Sequence, residues 1–246
     1  ILNFSLLMVS ACLLVSHGSR DPRPEVAMQE LAKLVIDQAR SLEVEIRVGT
    51  ACLELKPEPL HEQIIKFVNN CAAWEKVDLK VVPLFLLPGV HVMDDIPNEV
   101  RLARAALGED ILIELQPHLG SHCGLENFLA KQFAATMATA RILVAHGSRR
   151  QGSQLRVEAI AKNLDAVTAY WSVPPSLEVQ VKELINIGHR QIAILPYFLF
   201  AGGITDAIAQ VIEKLQLQFP GVDLQLAEPL GASAELADLV WDLIKE

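Results

Sequence analysis

The chain has 246 residues, 51% of them hydrophobic and 21% charged, with a formal net charge of −9. This is a globular balance that excludes a disordered chain and leaves room for one large α/β domain or two small ones. An acidic chain of this kind offers no domain-wide basic face. Nucleic acid is therefore not an expected partner, and any anionic ligand must be held by local arginines or helix N-termini.

Residues 1–16 are strongly apolar, but His17-Gly18-Ser19-Arg20-Asp21 ends the run before the roughly 20 residues a membrane span requires. Neither a positive leading region nor a small-residue cleavage site is clear, so the segment reads as a buried strand over 11–16 behind a short extension, and no membrane partner is expected. Met8 is the expected natural start. A helix follows over 22–40, with Asp21 as N-cap and Pro22 at the first helical position. A strand over 44–48 precedes a helix over 60–74, then a strand over 79–85. The next helix begins near Pro97 and stops at Gly108. A strand over 111–115 and a helix over 125–137 complete the first half. Strands near 141–145, 166–170, 191–198 and 222–226 repeat the scheme. Alternating strands and helices imply mostly parallel sheets with helices on both faces. Cys12, Cys52 and Cys71 lie in apolar runs, and no CxxC pair involves them or Cys123. That usage points to a reducing compartment, cytoplasmic or stroma-like, without a disulfide framework.

The chain is written twice. Leu13-Leu14-Val15-Ser16-His17-Gly18-Ser19-Arg20 recurs as Ile142-Leu143-Val144-Ala145-His146-Gly147-Ser148-Arg149, and His17 to His146 is 129 residues. Val82-Pro83-Leu84-Phe85-Leu86-Leu87-Pro88-Gly89 matches Leu195-Pro196-Tyr197-Phe198-Leu199-Phe200-Ala201-Gly202, now 113 residues apart, and Leu119-Gly120 matches Leu230-Gly231 at 111. Colinear matches with loop-sized deletions indicate duplication of a whole domain rather than a solenoid repeat. Two tandem homologous domains are expected, 1–137 and 138–246, each with a four-stranded, mostly parallel sheet.

Parallel sheets bind ligands beyond the carboxyl ends of their strands, where strand order reverses. His17 follows the first strand directly and His91 follows the third. In a 2-1-3-4 order these strands are neighbours, roughly 4.8 Å apart, so the two imidazoles face one crevice. Glu54 follows the second strand at the same edge and can complete a metal site or take a proton. The second half keeps His146, but His91 aligns with Ile204 and Glu54 with Trp171 or Ser172. One working site per chain is expected, in the first half. Arg20, Arg23, Arg149 and Arg150 gather beside the two histidine loops. If the halves face each other about a pseudo-twofold in a monomer, these arginines can hold substrate carboxylates. His118-x3-His122 beside Cys123 is a weak zinc pattern. Ser19 suggests a hydrolase only superficially, because no G-x-S-x-G elbow is present; a hydroxyl at this position can bond the turn backbone.

His17-Gly18-Ser19-Arg20-Asp21-Pro22 after a first strand, together with Pro83-Leu84-Phe85-Leu86 and Gly89-Val90-His91 after a third, resembles the sirohydrochlorin chelatase family. Those proteins are ATP-independent class II chelatases, and the resemblance, to their long two-half form, covers about residues 11–245. It implies insertion of Fe2+ or Co2+ into sirohydrochlorin, for siroheme or cobalamin. Ni2+ and another tetrapyrrole are a further possibility within the class, and a non-catalytic tetrapyrrole or metal carrier is the alternative. The metal is substrate, and no organic cofactor is implied. His17 and His91 take the places of the family's metal-associated histidines, and Glu54 that of its acidic residue. Ser19 and the four arginines are candidate substrate contacts, and Leu86, Leu87 and Val90 an apolar wall for the ring. No His-rich tail is present to buffer cobalt or nickel, which favours iron.

Overall fold

In a computed structural model, residues 9–71, 77–108, 111–150 and 152–245 are described. The proposed start at Met8 lies outside them. The first half contains β1 (Val9–Ser16), α1 (Arg23–Ser41), β2 (Arg47–Cys52), α2 (Leu60–Cys71), β3 (Val77–Pro83), α3 (Ile96–Leu107), β4 (Leu112–Leu115) and α4 (Leu125–Ala134). The second contains β5 (Ala140–Ala145), α5 (Leu155–Asn163), β6 (Val167–Tyr170), α6 (Leu177–Asn186), β7 (Gln191–Pro196), α7 (Gly203–Gln218), β8 (Asp223–Leu226) and α8 (Ala234–Lys245). Both sheets are four-stranded and wholly parallel, in the orders β2-β1-β3-β4 and β6-β5-β7-β8. No helix among the described residues is long and apolar enough to cross a membrane.

Why β1 reads as an unbroken apolar run follows from its position. It sits between β2 and β3, and helices cover both of its faces. Ala11, Leu13 and Val15 pack into one cluster with Leu60, Ile64 and Val68 of α2 and Ile96, Val100 and Ala103 of α3. Cys12 and Leu14 point to the opposite face and are equally buried. Burial there also pushes the Cys12 thiol pKa upward. On α1, Met28, Leu31, Ala32, Val35 and Ala39 are the buried positions, at the three- and four-residue spacing of one helical face. Each fully buried Leu or Val contributes roughly 1.5–3 kcal/mol. The second unit builds the same kind of cluster from Ile142 and Val144 of β5, Val181 of α6 and Ile208, Ile212 and Leu215 of α7.

One strand expectation is corrected. The second strand lies at Arg47–Cys52 rather than 44–48, because pairing with β1 sets it: Ala11 is opposite Arg47 and Ser16 opposite Cys52. Gly49, a poor strand residue by propensity, is required inside it, since a Cβ there would lie 2.4 Å from the Phe67 ring. The division of the chain by packing also differs from its division by repeat. One compact unit comprises the described residues of Ile1–His122 and Ala232–Glu246, the other Cys123–Gly231. Thus α8 packs against α1 and β3, while α4 packs against β7. Which sheet a terminal helix covers is settled by the apolar face it finds.

Candidate metal centre

The loops after β1 and β2 are extensions of their ladder. Leu53 N–H donates to Ser16 O at 2.8 Å and Glu54 N–H to His17 O at 2.9 Å, so Glu54 is locked one step from His17. Such close approach demands Gly18. Its φ is +101°, and a Cβ would lie 2.2 Å from the Glu54 carbonyl oxygen. Leu55 follows at φ 63°, turning the chain sharply and leaving its side chain exposed. From α2, Gln63 fixes the base of this loop: Oε1 accepts from Cys52 N–H at 3.1 Å, and Nε2 donates to Cys52 O at 2.8 Å and to Glu58 O at 2.9 Å.

The third loop is tied in the same way. Leu84 N–H donates to Val15 O at 2.7 Å, and Gly120 N–H to Phe85 O at 2.9 Å. Residues His91–Asp95 then form a π turn, closed by the Ile96 N–H donating to His91 O, before α3 begins. The helix expected from near Pro97 begins at Ile96, behind a π turn that the residue pattern alone does not mark.

His17, Glu54 and His91 converge: one possible ligand atom from each lies within 4.8 Å of the others. No other group of three His, Cys, Asp or Glu ligand atoms meets that condition among the described residues. His17 Nε2 is 3.7 Å from Glu54 Oε2. The two imidazole rings are 4.9 Å apart at 75°, and Phe85 lies 6.4 Å from His17 and 6.2 Å from His91. Ligand bonds of about 2.1 Å to one ion put its ligand atoms roughly 3.0–3.5 Å apart, so a small closure of side chains would place all three on one metal. The site is open: His17, Glu54 and His91 side chains are 50, 49 and 34% exposed. A metal held here can be approached by a large planar ligand. Leu55, Val90 and Met93 are exposed beside it, and Leu86 and Leu87 are half-buried.

The remaining candidates divide. Ser19 Oγ accepts from Asp21 N–H at 3.0 Å, so it shapes the turn. Arg23 is engaged by Asp21, with Nη2 to Oδ2 at 2.6 Å. That guanidinium holds the Asp21 carboxyl below its ordinary pKa. Asp21 also accepts from Arg23 N–H at 3.0 Å, but the N-cap of α1 is Pro22 rather than Asp21, so the helix starts one residue later than expected. Arg20 is exposed, and its guanidinium makes no ion pair among the described residues. Arg149 and Arg150 are exposed on the corresponding loop of the second unit. His122 faces Asp242 at 3.7 Å, and His118 and His122 join no three-ligand group among the described residues.

The second unit resolves the open alignment. Trp171 N–H donates to Ala145 O and Ser172 N–H to His146 O, each at 2.9 Å, so Ser172 occupies the position of Glu54. Its hydroxyl donates to His146 O at 2.8 Å. Ile204 stands in the first turn of α7 and packs against the core. Strand-end placement does not single out Asp95, but its spacing of four from His91 is a usable signal on a helix.

Comparison with known proteins matches this architecture. The profile of the CbiX family fits residues 11–136 and again 140–246. The chain is 22% identical to a sirohydrochlorin cobaltochelatase of Priestia megaterium, over 97% of this chain and 80% of that protein. It is 28% identical to a sirohydrochlorin ferrochelatase of Bacillus subtilis (strain 168), over 88% and 84%. The solved structure of SirB from Bacillus subtilis with Fe3+ superposes with a TM-score of 0.74 at 23% identity, over 97% of this chain and 95% of that one, which establishes the common fold. The chain belongs to the CbiX family of sirohydrochlorin chelatases, in its two-domain form.

Proposed function

We propose that this chain inserts a divalent metal, Fe2+ or Co2+, into sirohydrochlorin, using His17, Glu54 and His91. The observation that carries the reading is the convergence of two imidazoles and one carboxylate within 4.8 Å on an exposed rim. Two neutral imidazoles and a carboxylate leave a bound M2+ with one net positive charge, a site that can hold the ion and release it. Imidazole takes either metal, so this donor set does not choose between them. The relatives' names divide the same way, one cobalt and one iron.

In the proposed reaction, the metal passes from side-chain ligands to the four ring nitrogens. Two pyrrole N–H bonds break and two protons leave. The incoming ion brings two positive charges, so the charge of the macrocycle is unchanged, and neither oxidant nor nucleotide is consumed. His17 is a ligand and, once it has released the metal to the ring, the first proton acceptor; His91 is its partner ligand, and Glu54 the auxiliary base or third ligand. Leu55, Leu86, Leu87, Val90 and Met93 offer the ring an apolar bed. Arg20, with its guanidinium unpaired among the described residues, is the first-unit arginine best placed to meet a ring carboxylate. The four free thiols, Cys123 exposed among them, suit a reducing compartment.

Purified protein mixed with sirohydrochlorin and Fe2+ or Co2+, followed by visible absorption, tests this. Insertion well above the uncatalysed control is expected, with Glu54→Gln slower by about 10²-fold if Glu54 moves a proton. Tight binding of the ring with insertion no faster than the control would make the protein a carrier.

A further inference from the structure

His91 is gripped by a carboxylate that the metal cluster does not use. Asp95 Oδ2 lies 2.7 Å from His91 Nδ1. His17 has no such partner: its Nδ1 is 3.4 Å from Gly18 O, and its Nε2 is 3.7 Å from Glu54. An ionised carboxylate only accepts, so the His91–Asp95 contact places the proton on Nδ1 and leaves the Nε2 lone pair free.

The backbone that makes this pair is peculiar to the first half. Pro83 and Gly89 match Pro196 and Gly202 at 113 residues. The buried positions of the following helices, Ile96, Val100 and Ala103 against Ile208, Ile212 and Leu215, match at 112. One extra residue therefore lies between the strand end and the helix core face in the first half. The π turn at His91–Asp95 absorbs it, closing with an i→i+5 bond where α7 is regular. At either offset, Asp95 corresponds to Ala207 or Ile208, neither of whose side chains can accept a hydrogen bond.

We infer that Asp95 is a positioning residue: it fixes the tautomer and orientation of His91 so that Nε2 takes the metal, and the one-residue excess in the π turn is what sets the pair. The inference rests on the metal-insertion reading of His17, Glu54 and His91. A carboxylate behind a ligating imidazole makes the nitrogen on the far side more basic and holds the ring against rotation. Asp95 thus acts on the metal through His91 without touching it.

Long-range 1H–15N spectra of the metal-free protein read the tautomer of each histidine directly, without activity. In the wild type, His91 is expected with its proton on Nδ1. Asp95→Ala should shift it toward the Nε2–H form, weaken Co2+ binding by about 10–100-fold and change the visible spectrum of the Co2+ complex. Asp95→Glu should recover part of each. An Nε2–H tautomer in the wild type would overturn the inference. So would Asp95→Ala with unchanged Co2+ affinity while His91→Ala loses it, and in that case the metal centre would stand without Asp95. Undiminished Co2+ affinity in His17→Ala and His91→Ala would overturn the metal centre itself, and this role with it.

Discussion

The two halves of the chain share strand order and ladder register, yet only one of them assembles a cluster of three possible metal ligands among the described residues. Val15 faces Pro83 in the first sheet as Val144 faces Pro196 in the second. His17 and His146 each accept a backbone N–H from the loop after the neighbouring strand. The halves part at Glu54 against Ser172, at His91 against Ile204, and at the π turn against a regular helix start. The scaffold therefore accounts for none of the difference. Three changes in loops beyond the strand ends account for all of it, which is where parallel sheets carry chemistry.

The comparison breaks most directly at the histidines. His17→Ala and His91→Ala should each slow insertion by about 10²-fold or more, while His146→Ala leaves it within twofold, measured as initial rates of metal insertion. Equal losses at His17 and His146 would mean that both halves work. Deleting Met93, which is 65% exposed in the π turn, should restore the register of the second half. Held to α3, His91 would swing by about 100° around the helix axis. Activity should fall nearly as far as in His91→Ala, while Ile96, Val100 and Ala103 stay in the core and thermal unfolding changes little.

Smaller effects sharpen the picture. Gly18→Ala forces a Cβ against the Glu54 carbonyl at a positive φ, so it should cost about 1–3 kcal/mol of stability and slow insertion by displacing Glu54. Thermal unfolding and initial rates check the two parts separately. Arg20→Ala should raise KM for sirohydrochlorin several-fold with kcat nearly unchanged, the pattern of lost uniform binding. Arg23→Ala should do less, because Asp21 already occupies that guanidinium.

Much of this was legible in the residues. Duplication, parallel α/β architecture and the pairing of His17 with His91 all follow from motif order, because topology puts the ends of neighbouring parallel strands together. Glu54 was legible as a loop residue at the right edge, and the ladder step from His17 O to Glu54 N explains why it arrives beside His17. Three things were hidden. The strand Arg47–Cys52 was obscured by Gly49, whose reason is the Phe67 ring packed over it. The membership of α4 and α8 in the packing units depends on which apolar face each helix meets, a long-range fact with no local signature. The π turn was visible only as a slip of one residue between repeats, and it takes the buried positions of both helices to see it.

Diffraction from crystals loaded with Co2+, collected at the cobalt absorption edge, tests the central claim most directly. The expected result is one strong anomalous peak per chain about 2.1 Å from imidazole nitrogens of His17 and His91, with Glu54 turned toward it and nothing at His146. A dominant peak elsewhere, or matching peaks beside His17 and His146, would contradict a single metal centre in the first half.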